Sequence, residues 1–383
     1  MRSKGAVVAA IGVLVLAGVL ALVLLRSSGG TPDGPRPDAG PSDQMFAVSV
    51  NRVINDDFTP ARWDEELAAV RAGGLREART DAFWMWAEPD PPVGGTHSYS
   101  WERPDAVAGA LARHGLRWLP VLDYSAPWAA SVRSDYHSPP GSNDDYAAYA
   151  RAFAERYGRG GSFWAEHREV DALPVTDYEI WNEPNGHWAW RPAPDAARYA
   201  DMYLKAHAAI HAVDPRATVV VGGLVAHAGF VRKMYAARPA LRRNVDAVGW
   251  HAYARRVKGI IAGVRALRGT LRRLGETKVP IHITELGWPT KGHFPIVIGE
   301  VERAVSLENA AETLARSDCG VASVVVYTWT TPERHPADKE DWYGIRHPDG
   351  TRTQTSDAFA RVLDHWRRNP VENGSRLSLC DEG

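Results

Sequence analysis

Two glutamates occupy matching places in the chain. Glu183 follows an apolar run in Tyr178-Glu179-Ile180-Trp181-Asn182-Glu183-Pro184-Asn185, and Glu285 closes a second run, Val279-Pro280-Ile281-His282-Ile283-Thr284-Glu285-Leu286-Gly287-Trp288. Each run reads as a buried strand that carries one carboxylate out at its C-terminal tip. Two carboxyl groups facing each other across a sugar linkage can divide the work of glycosidic hydrolysis, one protonating the leaving oxygen while the other attacks the anomeric carbon. The alternative is a pair of ion-paired structural residues. Against it, an ionised group that follows strongly apolar residues is costly and is kept where it has a task.

Holding such groups in place requires a rigid frame. From Met45 onward, short β-rich runs alternate with helix-period segments, the pattern of βα units on a parallel sheet. The strand candidates are Phe46–Val50, Leu75–Thr80, Arg117–Leu122, Thr176–Trp181, Thr218–Gly222, Ala247–His251, Ile281–Glu285 and Ser323–Tyr327. Eight is the number at which such a sheet closes with its interior filled by side chains. The predicted fold class is therefore α/β, a single (β/α)8 TIM barrel over 45–368 with a short tail over 369–383. Thr59-Pro60 supplies an N-cap and a first-turn proline before Trp63, Leu67 and Val70. Ser142 and Asp145 resemble a capping box ahead of Tyr146, Tyr149, Phe153 and Tyr157. Tyr199, Met202, Tyr203, Ala206, Ile210 and Val213 repeat at three and four, as do Val257, Ile261, Val264, Leu267, Leu271 and Leu274; both stripes should face the barrel. The arginines of 255–273 are expected on a solvated face.

A barrel gathers the C-terminal ends of its strands on one face, and enzyme sites are built there. In this reading Arg79, Asp123 with Tyr124, Asn182 with Glu183, His251 with Tyr253, Glu285 and Trp329 stand at those ends. The order resembles glycoside hydrolase clan A, the retaining barrel glycosidases with acid/base and nucleophile on the fourth and seventh strands. It covers Met45 to about Arg367, and the Asn-Glu-Pro motif is its most specific part. Within the clan, Glu179 to Asn185 with Trp188 and Trp190 is most similar to family 39 and related bacterial exopolysaccharide hydrolases, with family 5 next. The resemblance implies that Glu183 is the acid/base and Glu285 the nucleophile, with Arg79 beside it and the Tyr253 hydroxyl donating to it.

Arg79 and Tyr253 are then expected to lower the pKa of Glu285, whose charge helps Glu183 keep its proton. Asn182 should bond the hydroxyl next to the reacting carbon. Trp329 is expected beneath the sugar as a platform. Tyr124, Trp188, Trp190, His251 and Trp288 complete the expected substrate-binding set, with Trp84, Trp86 and Trp128 as further loop aromatics. The stretch Asp341-Trp342-Tyr343-Gly344 and the turn Pro348-Asp349-Gly350 look like a hairpin closing over the site.

Other signals are weaker. His207 and His211 have a metal-ligand spacing, but no intervening glutamate or third ligand is evident, so they read as ordinary helix residues. Gly222-Gly223 follows a strand without the dinucleotide or phosphate-loop pattern, and no serine sits in a nucleophile elbow. No metal and no cofactor are expected. The competing readings are a non-catalytic carbohydrate-binding barrel and a transglycosylase, and fold alone excludes neither.

The 383 residues carry a formal net charge of −1, which leaves no global basic field to hold nucleic acid. The expected partners are a carbohydrate substrate and a membrane, with the chain itself a monomer. Fifteen tryptophans suit stacking on sugar rings as well as a core. Arg2 and Lys4 precede an apolar run from Gly5 to Leu25, which as a helix reaches about 31 Å, enough to cross a bilayer. With a lone Arg26 after the run, the amino end should stay cytoplasmic and the bulk be exported. Residues 1–26 are thus read as a signal-anchor and 27–44 as a Gly/Pro/Ser-rich linker, giving a single-pass cell-membrane protein with its catalytic domain outside the cytoplasm. A cleaved signal peptide, and so a secreted protein, is the alternative. Cys319 and Cys380, the two cysteines of an exported chain, are read as a disulfide that pins the tail beneath the barrel; two unrelated thiols are the other reading. Full-length protein should fractionate with membranes and a chain lacking residues 1–44 should be soluble. A mature N-terminus near Ser27 or Gly30, read by peptide sequencing, would instead identify a removed signal.

Overall fold

The computed structural model describes residues 45–55, 59–369 and 376–381; the anchor and linker expected over 1–44 lie outside them. Among the described residues no helix is long and apolar enough to cross a membrane. Eight strands, β1 (Phe46–Ser49), β2 (Glu77–Phe83), β3 (Arg117–Asp123), β4 (Asp177–Ile180), β5 (Thr218–Val225), β6 (Ala247–His251), β7 (Ile281–Leu286) and β8 (Val321–Val326), pair in sequence order. The sheet is parallel throughout, and β8 returns to β1 to close the barrel. Each strand is followed by a helix: α1 (Pro60–Ala72), α2 (Glu102–Arg113), α3 (Asn143–Tyr157), α4 (Ala196–His211), α5 (Gly229–Ala237), α6 (Val257–Arg273), α7 (Glu300–Ala315) and α8 (Gln354–Arg368).

The helices begin where their capping chemistry places them. The Thr59 hydroxyl accepts from Arg62 N at 3.3 Å with Pro60 in the first turn, and the Ser142 hydroxyl accepts from Asp145 N at 3.3 Å. Each cap satisfies an amide that the first turn leaves unpaired. The tyrosine stripes of α3 and α4 face the barrel, and their hydroxyls reach sheet backbone. Tyr149 donates to Ala82 O at 2.7 Å, Tyr199 to Ile180 O at 2.8 Å and Tyr203 to Val219 O at 2.8 Å. Tyr199 also accepts from Gly222 N at 2.7 Å, beside the irregularity in the β5–β6 register. These contacts bury ring area and satisfy carbonyls in one stroke.

Inside the barrel, register sets the layers. Ala47, Leu119 and Val325 form a small apolar cluster of their own, separate from the large core between sheet and helices. Ser49 stands opposite Arg79, Arg79 opposite Leu119, and Val121 opposite Glu179, so a buried arginine and a buried glutamate share the interior. This differs from the expectation for Arg79. Strand β2 continues to Phe83, which leaves Arg79 in mid-strand rather than at the tip.

Two further expectations change. Arg268 of α6 is buried and turned inward, donating from Nε to Cys319 O at 2.6 Å and from Nη2 to Val279 O at 2.8 Å, so it ties two chain segments instead of facing solvent. The stretch after β8 is a 3-10 turn, Lys339–Trp342, with isolated bridges from Arg346 to Thr330 and to Arg352, rather than one regular hairpin.

Below the barrel, Cys319 and Cys380 are joined by a disulfide across a separation of 61 residues. Asp318 reinforces it by accepting from the amides of Leu379, Cys380 and Asp381 at 2.9, 2.7 and 3.0 Å. Cross-linking a loop of this length removes unfolded-chain entropy worth about 4 kcal/mol in the chain-entropy model. Cys380→Ser should lower the unfolding free energy by about 2–5 kcal/mol, and reductant should do the same to the unmodified chain, both read by denaturant melts.

Candidate active site

Glu183 is aimed by a strained turn. After β4 ends at Ile180, Trp181 and Glu183 both take positive φ, 66° and 47°, a region that side-chain-bearing residues visit only when their surroundings insist. Asn182 N donates to Asp123 at 3.2 Å. Asn185 bridges to β5, donating to Val225 O at 2.7 Å and accepting from Val225 N at 3.1 Å. Trp181 Nε1 donates to Ala189 O at 2.8 Å. The Glu183 carboxylate thus faces the barrel axis, where Oε1 lies 2.8 Å from His251 Nδ1 and Oε2 accepts from the Trp188 indole.

Glu285 meets it from β7, directly opposite His251 of β6 in the ladder. Arg79 Nη1 donates to Glu285 Oε1 at 2.9 Å, and the Tyr253 hydroxyl donates to Oε2 at 2.6 Å. One oxygen of Glu183, one of Glu285 and a ring nitrogen of His251 all lie within 4.8 Å of one another. Arg79 reaches this group from below, and Asn182 Oδ1 accepts from its Nη2 at 3.2 Å. Its Nε donates to Glu179 Oε2 at 2.7 Å, with neither side chain exposed at all. The second Glu179 oxygen accepts from Gly223 N at 2.7 Å. Gly223 has to be glycine: a Cβ there would stand 1.9 Å from His251 Nε2.

Glu179 and Asp81 were not singled out from the sequence as site residues. Asp81 lies two positions from Arg79 on β2, hence on the same face, and for Glu179 a charge inside the apolar run of β4 was the available signal. Asp81 accepts from Asn51 at 3.1 Å and from Asn55 at 2.5 Å, and burial lifts its pKa to about 6.

The electrostatics run opposite to the simple expectation. Burial pushes Glu285 above the usual carboxylate range, and the pull of His251 and Arg79 does not cancel it. Burial also acts on Glu183, but the hydrogen bond and charge of His251, together with the Trp188 donor, hold it below its ordinary value. His251 is raised, because the charges of Glu285 and Glu183 outweigh its burial. Glu183, His251 and Glu285 lie close enough that the protonation of each depends on the other two.

The aromatic residues divide sharply. Trp188 is 47% exposed beside Glu183, whereas Tyr124 is buried, its hydroxyl accepting from Asn182 Nδ2 at 3.3 Å. Trp190 and Trp288, expected to bind substrate, are buried instead. Trp190 packs on Trp181 and Tyr199 at 5.2 and 5.7 Å, and Trp288 donates to Ala254 O at 2.7 Å. Trp329 is no platform either: its indole turns outward to α1 and donates to the buried Glu66 at 2.8 Å. Tyr327 takes the inner position at the end of β8, 6.5 Å from the Tyr253 ring and 5.2 Å from that of Tyr343. The stretch that supplies Tyr343 does lie against the site.

No family model matches the chain and no curated protein does. Solved structures do match. A monomeric β-xylosidase from Caulobacter crescentus is 20% identical, with 84% of this chain and 68% of that one covered at a TM-score of 0.64. A family 39 glycoside hydrolase from Xanthomonas axonopodis pv. citri is 18% identical over 88% of this chain and 72% of its own, TM-score 0.62. A family 5 subfamily 18 protein from Streptomyces cattleya, bound to a mannosyl-β-1,4-N-acetylglucosamine, is 16% identical over 87% and 83%, TM-score 0.64. At these identities the likeness is one of fold.

Breaking a fully buried ion pair by removing one charge costs about 3–5 kcal/mol. Glu179→Gln should therefore destabilise the barrel by that order in urea melts. Gly223→Ala should displace His251 and shift its imidazole resonances, whereas a spectrum unchanged from the parent chain would contradict this placement.

Proposed function

We propose that the chain is a retaining O-glycoside hydrolase acting on an oligo- or polysaccharide through a covalent glycosyl-enzyme. The observation that carries this reading is the approach of Glu183 and Glu285, an oxygen of each lying within 4.8 Å of the other. That is compatible with the ~5–5.5 Å between carboxyl groups of retaining enzymes and shorter than the ~6.5–9.5 Å that inverting ones leave for a water. The likeness of the barrel to solved glycoside hydrolases supports it at the level of fold.

Glu285 is the nucleophile. Arg79 and Tyr253 fix both its oxygens, so the attacking lone pair is directed at the anomeric carbon. As the new C–O bond forms and the glycosidic bond breaks, Glu183 delivers a proton to the leaving oxygen. His251 Nδ1, 2.8 Å from Glu183, stores that proton in the resting site. Esterification of Glu285 removes its charge, and Glu183 then accepts a proton from the water that attacks the ester carbon of the sugar. Asn182 is placed between Arg79 and Tyr124 to bond the hydroxyl beside the reacting carbon. Trp188 offers an exposed ring beside the acid/base, and Tyr327 supplies the floor that Trp329 was expected to give. We further propose that the apolar run Gly5–Leu25 carries this domain on the outer side of the membrane.

Glu285→Gly should leave a hole from which azide attacks, giving a glycosyl azide of configuration opposite to the normal product. Glu183→Ala should spare the first step for aryl glycosides, with azide then trapping the intermediate in retained configuration. Each variant should lose about 10²–10⁴-fold in rate on ordinary sugar leaving groups. Near-normal rates in both would remove these two residues from the chemistry, and exchanged configurations would swap their roles. Saccharide binding without any turnover would favour the binding-protein reading, and products lengthened by an added acceptor would favour a transglycosylase.

A further inference from the structure

The barrel face opposite the glutamates carries a second cluster of titratable side chains. Asp246 directly precedes β6, and so stands at the other end of the strand that delivers His251. His207 and His211, one turn apart on α4, both direct Nε2 at its carboxylate. His207 Nε2 is 3.3 Å from Asp246 Oδ1, and His211 Nε2 is 2.9 Å from Oδ2, with the two rings 4.1 Å apart. One atom of each of the three residues lies within 4.8 Å of the others. The sequence supplied the histidine pair without a third ligand; the fold brings one in from 39 and 35 residues away.

We propose that His207, His211 and Asp246 form a binding site for a divalent transition-metal ion, zinc above all, on the N-terminal face of the barrel. Two imidazoles and a carboxylate suit zinc and its neighbours in the series and do not suit magnesium or calcium, which take oxygen ligands. Ligand atoms about 2.0–2.1 Å from a tetrahedral zinc stand roughly 3.3 Å apart, so the ion needs little rearrangement of this cluster. Asp246 is oriented from behind by Val219 N, which donates to Oδ2 at 2.9 Å, the kind of support a ligating carboxylate receives. The side chain of His207 is 8% exposed while those of His211 and Asp246 are each 27% exposed, so the cluster is anchored on one side and open to a water ligand on the other. On binding, each imidazole gives its Nε2 lone pair to the metal, and the protons those nitrogens share with Asp246 leave to solvent. The ion would clamp the end of α4 to the start of β6, remote from the glutamates.

Metal-free full-length chain titrated with zinc in a calorimeter should show a saturable site at micromolar zinc. The site should be lost in His211→Ala and in Asp246→Asn, and retained when Glu183 and Glu285 are both replaced by glutamine. Cobalt should give the intense visible band of a tetrahedral ion in the parent chain only. Zinc should raise the melting temperature of the parent and not that of His211→Ala, whose turnover should match the parent's. Should His211→Ala fold poorly, His211→Gln keeps the side chain's reach and removes the imidazole. Equal zinc binding by the parent and either His211 variant, or no saturable binding by the parent, would overturn the proposal.

Discussion

The guanidinium of Arg79 bonds Glu179, Glu285 and Asn182 directly and reaches Tyr253, Tyr124 and the Gly223 amide through one neighbour. Taken from water alone, that charge would be prohibitively costly to bury. Glu179 and Glu285 offset the burial, and in doing so raise the pKa of Arg79 so that it stays charged at any ordinary pH. The fork geometry of arginine matters as much as its charge. Three nitrogens point to three different elements: Nε to β4, Nη1 to β7 and Nη2 to the turn that carries Glu183. A lysine would neutralise the same charge without fixing those directions.

The closed sheet imposes a second constraint, the strict division between interior and exterior. A residue at a strand end belongs to the cleft or to the helix layer according to how the chain leaves the strand. Tyr327 and Trp329 are two residues apart, yet Tyr327 faces Tyr253 while Trp329 bonds Glu66 on α1. Trp188 and Trp190 separate in the same way, one at Glu183 and the other in the core against Tyr199. The abundance of tryptophan thus serves both the apolar layer around the barrel and the rim of the site.

The proton economy of the cleft follows from the same burial. Desolvation favours neutral forms of both glutamates, and the imidazole between them moves the balance. His251 approaches Glu183 at 2.8 Å and Glu285 at 3.4 Å; its charge acts on both carboxylates, and its hydrogen bond goes to Glu183. In the function proposed above, a substrate between the glutamates changes the polarity on which this balance depends, and the same carboxyl group acts first as acid and then as base. At the other end of β6 a similar association of imidazole and carboxylate appears, where His207 and His211 of α4 meet Asp246.

Local information was enough for the architecture. Strand runs rich in Val and Ile, helix stripes at three and four, and the caps at Thr59 and Ser142 act over a few residues, so all eight strands, and the positions of Glu183 just after β4 and of Glu285 on β7, were legible in the sequence. Strand ends were less so, because the length of β2 depends on pairing with β3, and this moved Arg79 from a tip to the interior. Side-chain direction was not legible at all for Trp190, Trp288 and Trp329, whose type is the same in a cleft and in a core. Nor was the partnership of Glu179 with Arg79, 100 residues apart, whereas that of Arg79 with Glu285 across 206 was implied by the family resemblance and not by any local pattern. Short-range preferences are properties of a segment and can be read along it. Which charges meet, and which aromatic ring faces the cleft, are set by chain segments that become neighbours only when the sheet closes, so tertiary structure alone decided them.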